Sequence, residues 1–381
     1  MQLPALLAAL ATAAAPAHDA GHGHGEGALM WHPGQWMVTA HGFVNAIHDH
    51  QGSPRGDTKS FSNSMFMALA QRPLDTGALE LRGMLSLDPA MGKGGYPLLF
   101  QVGETANGVT HLVDRQHPHD FFMELGARYT LEWQGASWFA YAALPGEPAL
   151  GPPAFMHRAS GVRIPEAPLT HHWLDSTHIT FGVVTLGVRR GDWSLEVSRF
   201  NGREPDQYRW NIETHSLDST SARITWTPAP GWSLQASHGD IRDPELLEPG
   251  VSIRRDTISA IYAGELAGRP WATTFAWGRN DKRRSRVPTH YHLPGWLLES
   301  TLEPFDGHAA FIRAERITHD DANVPLTFRK VSIGYIVDFA KTGPVRWGVG
   351  GLVSDLRPDG ITTFFYGDRA SAWMAFLQAR F

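Results

Sequence analysis

The sequence predicts an all-β chain: a transmembrane antiparallel up-and-down β-barrel of about 16 strands (roughly 14–18). Three observations lead there. Apolar and polar residues alternate along segments of about ten residues, the connections between segments alternate long and short, and aromatic residues gather at segment ends. Composition does not carry the argument, because 42% hydrophobic residues in a chain of 381 is ordinary for a soluble protein. Distribution carries it. Past the leader no apolar run reaches the roughly 18 residues of a membrane helix.

Taken in order, residues 1–17 read as a cleaved signal peptide. Leu3 to Ala15 is apolar and small, and Ala15-Pro16-Ala17 is a small-x-small cleavage site. The region before it has no Lys or Arg, so the amino terminus is its only positive charge. Residues 18–34 form a flexible His/Gly-rich periplasmic segment with His18, His22, His24 and His32. Residues 35–381 form the barrel, as one domain. Strands are expected at 36–49, 60–72, 77–88, 121–134, 136–145, 177–189, 192–202, 216–227, 231–242, 253–266, 270–281, 295–304, 308–319, 326–340, 345–356 and 370–381. In the fourth, Met123, Leu125, Ala127, Tyr129, Leu131 and Trp133 share one face, and Glu124, Gly126, Arg128, Thr130 and Glu132 the other. Trp193, Leu195 and Val197 alternate in the same way with Ser194, Glu196 and Ser198. Trp133, Trp138, Trp193, Trp232, Trp271, Trp347 and Trp373 stand where an interfacial girdle belongs. Short connections hold turn residues, such as Gln134-Gly135, Phe305-Asp306-Gly307 and Thr342-Gly343-Pro344. The stretches 89–120 and 146–176 are too long to be plain connectors. An even strand count places both termini on the periplasmic side.

The chain ends in Trp373-Met374-Ala375-Phe376-Leu377-Gln378-Ala379-Arg380-Phe381. A last strand closing on Phe resembles the recognition signal of bacterial outer-membrane barrels. That resemblance implies insertion by the barrel-assembly machinery through the Phe381 strand, and contact with outer-membrane lipid and lipopolysaccharide. Three stretches, 114–120, 151–158 and 171–178, resemble parts of uncharacterised porin-like barrels of Gram-negative bacteria. Some of those are found with proteins that handle copper or other heavy metals. The family has no established activity. Many 16-strand porins are trimers, so analogy offers a homotrimer.

The chain has no cysteine, so an exported fold needs another source of stability, which a closed ladder supplies. A net charge of -5 argues against nucleic acid as a partner. With the apolar face toward lipid, the lumen receives Glu80, Arg82, Glu124, Arg128, Glu132, Glu196, Gln235, Glu265, Arg313, Glu315, Lys330 and Asp338. Charges of both signs suit a water-filled pore with opposed stripes, or a closed network of pairs. About 16 strands leave room for water, which favours passive diffusion of small polar solutes or ions. A long loop folded inward would form a constriction like the eyelet of general porins; an external cap is the other arrangement.

Histidine is the distinctive residue, with 20 copies. His48 and His50 close the first strand. His117, His119 and Asp120 end the first long loop, and His171, His172 and His178 lie in or beside the second, so most histidines are expected to converge on one extracellular rim. Imidazole beside carboxylate suits Zn(II), Cu(II) or Ni(II), and thioethers such as Met30, Met37, Met65, Met67, Met91 and Met156 suit Cu(I). The competing reading is a set of polar loop residues with no ligand. A pore requires no cofactor; Cu or Zn is the ion that such a rim would hold. The rival function is a non-conducting metal-binding barrel linked to metal resistance. A rim hydrolase is a third reading, and no protease or lipase motif supports it. Its nearest groups are Asp175 with His178, Ser176, and His319 with Asp320 and Asp321.

Overall fold

The computed structural model describes residues 28–284, 290–320 and 324–381. The expected signal peptide, His18, His22, His24 and Asp321 lie outside them. A short strand, β1 (Leu29–Trp31), falls within the segment expected as a tail and pairs with Val38–Ala40. The strands that follow are β2 (Met37–Gly52), β3 (Thr58–Leu74), β4 (Gly77–Leu85), β5 (Tyr96–Thr105), β6 (His111–Gln116), β7 (Phe122–Trp133), β8 (Ala136–Ala143), β9 (Val183–Arg190) and β10 (Trp193–Phe200). The second half holds β11 (Ser219–Trp226), β12 (Trp232–Arg242), β13 (Val251–Leu266), β14 (Arg269–Arg284), β15 (His290–Phe305), β16 (His308–His319), β17 (Leu326–Thr342), β18 (Val345–Pro358) and β19 (Ala370–Arg380).

Among the described residues, β2–β4 and β7–β19 form a closed antiparallel barrel of 16 strands. Closure comes from β19 against β2, with Ser371 opposite Gly52 and Arg380 opposite Phe43. Each backbone donor and acceptor at membrane depth thereby finds a neighbouring strand. Each expected strand is present. The largest shift is at β9, which starts at Val183 because Ser176–His178 coils into a helical turn.

The outer wall is apolar. Leu125, Leu131, Leu186, Leu195, Ile224, Ile258, Phe275, Leu298, Ile333 and Leu377 are all exposed along it. Near the short turns, Trp193 stacks on Trp226 at 5.4 Å, and Trp232, Tyr262 and Trp271 follow in contact. This is the girdle that the sequence pattern predicts. Met123 departs from its expected face. The register of β4 against β7 shifts between Met84 and Leu85, and the bulge turns Met123 into the interior.

The interior is filled. The connection from β8 to β9, residues 144–182, enters the barrel and is buried along most of its length. The β5–β6 hairpin packs beside it and, among the described residues, pairs with no strand of the barrel wall. Leu98, Leu99, Phe100, Leu169, Trp173 and Leu174 meet Ala276, Leu297, Phe311, Phe328, Leu352 and Phe376 of the wall in one hydrophobic core. The main core thus lies inside the barrel. Gly278 and Gly295 face Trp173 so closely that a Cβ at Gly295 would stand 2.7 Å from its Cγ. The indole Nε1 donates to the Leu293 carbonyl at 2.8 Å.

The outer-wall assignment sets a stability test. Leu298→Arg places a charge on the lipid face near mid-strand and costs about 2–4 kcal/mol at the bilayer midplane. Reversible urea unfolding from lipid vesicles measures it, and a change under 0.5 kcal/mol would contradict the lipid-facing assignment.

Candidate functional site

Most of the charges expected to line a lumen sit on the inward face of the wall, where they meet the inserted segment, a neighbouring ring or one another. Glu299, Arg313 and Arg158 are fully buried. Arg158 Nε donates to Glu299 at 2.6 Å and its Nη1 to Asp175 at 2.7 Å. Arg313 donates to Glu299 at 3.1 Å and to the Glu166 carbonyl at 2.9 Å. Lys330 lies 2.7 Å from the Glu166 carboxylate, and Glu315 accepts from the Thr170 amide and hydroxyl at 3.0 Å each. Arg82 bridges Glu80 and Glu124, Arg223 holds Glu196, and Arg128 stacks over Phe139. Asp338 makes a two-pronged pair with Arg380. Gln235 bonds Thr257 and Ser259. Glu132 and Glu265 sit exposed by the short turns. Wall groups of an open pore would be wet. Apart from Glu132 and Glu265 these are paired or packed with little solvent contact, the arrangement of a closed network. A cavity of about 40 Å³ remains among Arg82, Glu124, Tyr141, Glu147, His157, His178 and Arg223, room for a few waters.

The inserted segment assembles the histidines. His171 and His172 stand in one helical turn (His171–Leu174), His178 ends the next (Ser176–His178), and His117 and His119 follow β6. His171 lies 5.1 Å from His178, and His178 lies 5.4 Å from His119, ring centre to ring centre. Rings bound through nitrogen to one tetrahedral ion, at about 2.0–2.1 Å, have centres about 5.2 Å apart. His117 and His172 extend the group, 5.8 Å from each other and 6.5 and 5.5 Å from His171.

The outer nitrogens of the central three are already engaged. His171 Nδ1 is 2.7 Å from Asp175 Oδ1, His119 Nδ1 is 2.8 Å from Asp88 Oδ2, and His178 Nδ1 bonds the Asp175 carbonyl at 2.8 Å. That pattern favours Nδ1–H as the tautomer and leaves the Nε2 lone pair as the atom able to ligate, as in metal-binding histidines. Nε2 of His119 and of His178 is buried and has no hydrogen-bond partner. Burial, then repulsion from neighbouring imidazoles, holds His117, His171 and His178 well below the usual histidine range. They are neutral at pH 7 and able to ligate. His172 differs: burial lowers it, but Glu204 outweighs that and raises it.

Other expected ligands go elsewhere. Strand alternation turns His48 and His50 to the outer wall, where they bond Ser60 and Thr58 and approach Trp373. Asp120 faces Arg209 at 3.0 Å. Met65, Met67 and Met156 join Met84 and Met123 in a second interior cluster with Phe155, whose ring lies 6.0 Å from His119. Met30 is exposed, and Met91 packs on the other core. Ser176 accepts from Arg255, Asp320 pairs with Lys282, and His319 stacks on Phe328. Asp88 and Glu104 were not among the expected site residues, and only folding brings them to His119 and His117. Asp175 was expected beside His178 in the hydrolase reading alone, and here it orients His171 and His178.

No protein-family profile matches the chain, and no curated relative does. Solved structures do. OprB of Pseudomonas putida aligns with TM-score 0.57 at 10% identity, over 91% of this chain and 94% of its own. OmpF of Salmonella typhi gives 0.55 at 9%, over 93% and 100%. A trimer form of OmpT from Vibrio cholerae gives 0.52 at 8%, over 91% and 100%. The fold is that of outer-membrane porins.

The lowered histidines fix a pH dependence. An unfolded segment takes protons at about pH 6.5, and the folded one resists them. Stability is therefore full above about pH 6.5 and is lost as pH falls below it. In metal-free protein, hydrogen exchange of 166–180, corrected for intrinsic rate, is faster at pH 5 than at pH 7.5. Strands β10–β18 stay protected. Equal protection at both values would contradict the assignment.

Proposed function

We propose that the chain is an outer-membrane channel-type barrel closed by its inserted segment, and that it binds a divalent transition metal at the enclosed imidazoles. Zn(II) and Cu(II) fit neutral nitrogen donors. One observation carries this: the His178 ring stands 5.1 Å from His171 and 5.4 Å from His119, with Nδ1 engaged on all three and buried Nε2 atoms unpartnered on His119 and His178, so that a small approach of His119 to His171 completes the set. His171 and His178 move with the segment that closes the lumen, whereas His119 belongs to the neighbouring loop. An ion bridging them stabilises the closed arrangement in proportion to its affinity for it. Small polar solutes or ions pass when the segment is displaced. The chain is exported, meets outer-membrane lipid and lipopolysaccharide through its apolar wall, and assembles as a homotrimer, as one porin neighbour does. Insertion uses the strand ending at Phe381.

Metal binding is tested by calorimetric titration of folded protein with Zn(II) and Cu(II). His119→Ala/His171→Ala weakens the interior site at least tenfold. Asp88→Asn, at a residue that ties His119 to the Ser64 amide of the wall and is not itself a ligand, weakens it about 10–100-fold. Unchanged affinity in the double variant would dismiss the site. Conductance tests the channel. The protein in planar bilayers is silent, and Arg158→Ala, which breaks a buried charge bridge at a cost of about 3–5 kcal/mol, gives stepwise currents. Silence from well-folded Arg158→Ala and Trp173→Ala alike favours the non-conducting metal-binding barrel.

A further inference from the structure

A second group of ligands stands on the outer wall. Asp281 and His292 are directly opposite on β14 and β15, and His290 opposes Arg283 two residues along. Side chains two apart on a strand share a face. His290 and His292 therefore stand side by side, their rings 4.5 Å apart. His292 Nδ1 is 2.5 Å from Asp281 Oδ1. Among the described residues this is the set of three His, Asp or Glu side chains whose ligand atoms all lie within 4.8 Å of one another.

Alternation gives the face. Thr274, Ala276 and Gly278 of β14 point inward, toward Ser160 and Trp173, and Phe275, Trp277, Arg279 and Asp281 point outward. On β15, Leu293 and Leu297 are inward and Trp296 and His292 outward. Trp277 and Trp296 meet at 6.1 Å just below the group, at the loop end of the apolar band. Arg279 lies 3.3 Å from Asp281 and also holds Asp256, which bonds His238. The Asp281 carboxylate is thus fixed in place, and the two imidazoles are exposed.

We propose that Asp281, His290 and His292 form a second site for a divalent transition metal, Zn(II), Cu(II) or Ni(II), on the outside of the barrel. Two nitrogens and one carboxylate oxygen select such ions over Mg²⁺ and Ca²⁺, which take oxygen shells. Three protein ligands leave at least one coordination position open to water or an external anion. Strand pairing sets the ligand positions, so the site needs no inserted segment and is independent of the interior imidazoles.

The test titrates detergent-folded protein with Zn(II), and with Cu(II) followed by electron paramagnetic resonance. His290→Ala/His292→Ala is expected to lose one equivalent of bound metal, with the heat-modifiable gel mobility of the folded barrel unchanged. Asp281→Asn, which keeps the shape, is expected to weaken that equivalent at least tenfold. In a His119→Ala/His171→Ala background the outer equivalent remains, with Cu(II) signals showing two nitrogens. If the interior reading is wrong, the unaltered protein shows one equivalent that vanishes in His290→Ala/His292→Ala, and this proposal stands. Unchanged stoichiometry and affinity in His290→Ala/His292→Ala would overturn it, and an unaffected Asp281→Asn would overturn the three-ligand assignment.

Discussion

Arg158 ties the contents of the barrel to its wall. Its guanidinium lies between Glu299 of β15 and Asp175 of the inserted segment, with no exposed surface on any of the three. Isolated charges at this depth would be costly, so each exists only because the others do. Asp175 then passes the constraint on. Its second carboxylate oxygen takes His171 Nδ1, and its carbonyl takes His178 Nδ1. A wall charge thereby sets the orientation of two imidazoles some residues away. The candidate centre is positioned by an ion bridge that belongs to the barrel.

The same logic explains the dry interior. Sixteen strands enclose a space wide enough for water, and nothing in strand geometry fills it. What fills it is a long connection whose polar backbone is met by inward Arg, Lys, Glu, Ser and Thr. Ala149 and Gly151 bond Ser198 and Ser237, the Ser160 carbonyl takes Thr301, and the Pro165 carbonyl takes Asn63. Apolar groups of the segment then bury against an inward face richer in Leu, Ile and Phe than a wet lumen would be. The wall carries the complement of its own filling.

Much of the strand layout was legible because a membrane barrel writes it twice, as alternation and as loop length. The imidazole group was half legible. His117, His119, His171, His172 and His178 stood out by density, and they do converge. His48 and His50 stood out equally and do not, because His-Asp-His on a strand sends Asp49 inward and both rings outward. The same alternation makes His290 and His292 neighbours, and their cross-strand partner Asp281 is invisible without the register. Met123 was misplaced because a bulge leaves no mark in an alternating pattern.

The sequence by itself determined the strands, the lipid-facing side, the closing strand and the segments too long to be turns. These follow from local periodicity, which needs no knowledge of distant residues. Tertiary structure alone decided whether the lumen is wet or filled, which carboxylate meets which histidine, and which charges pair. Several of those outcomes join groups far apart in the chain, such as Arg158 and Glu299, 141 residues apart, and even the close pair His171 and Asp175 is held in place by them. Local pattern does not encode the distant pairs, because they depend on where a folded loop comes to rest inside a wall built by the whole chain.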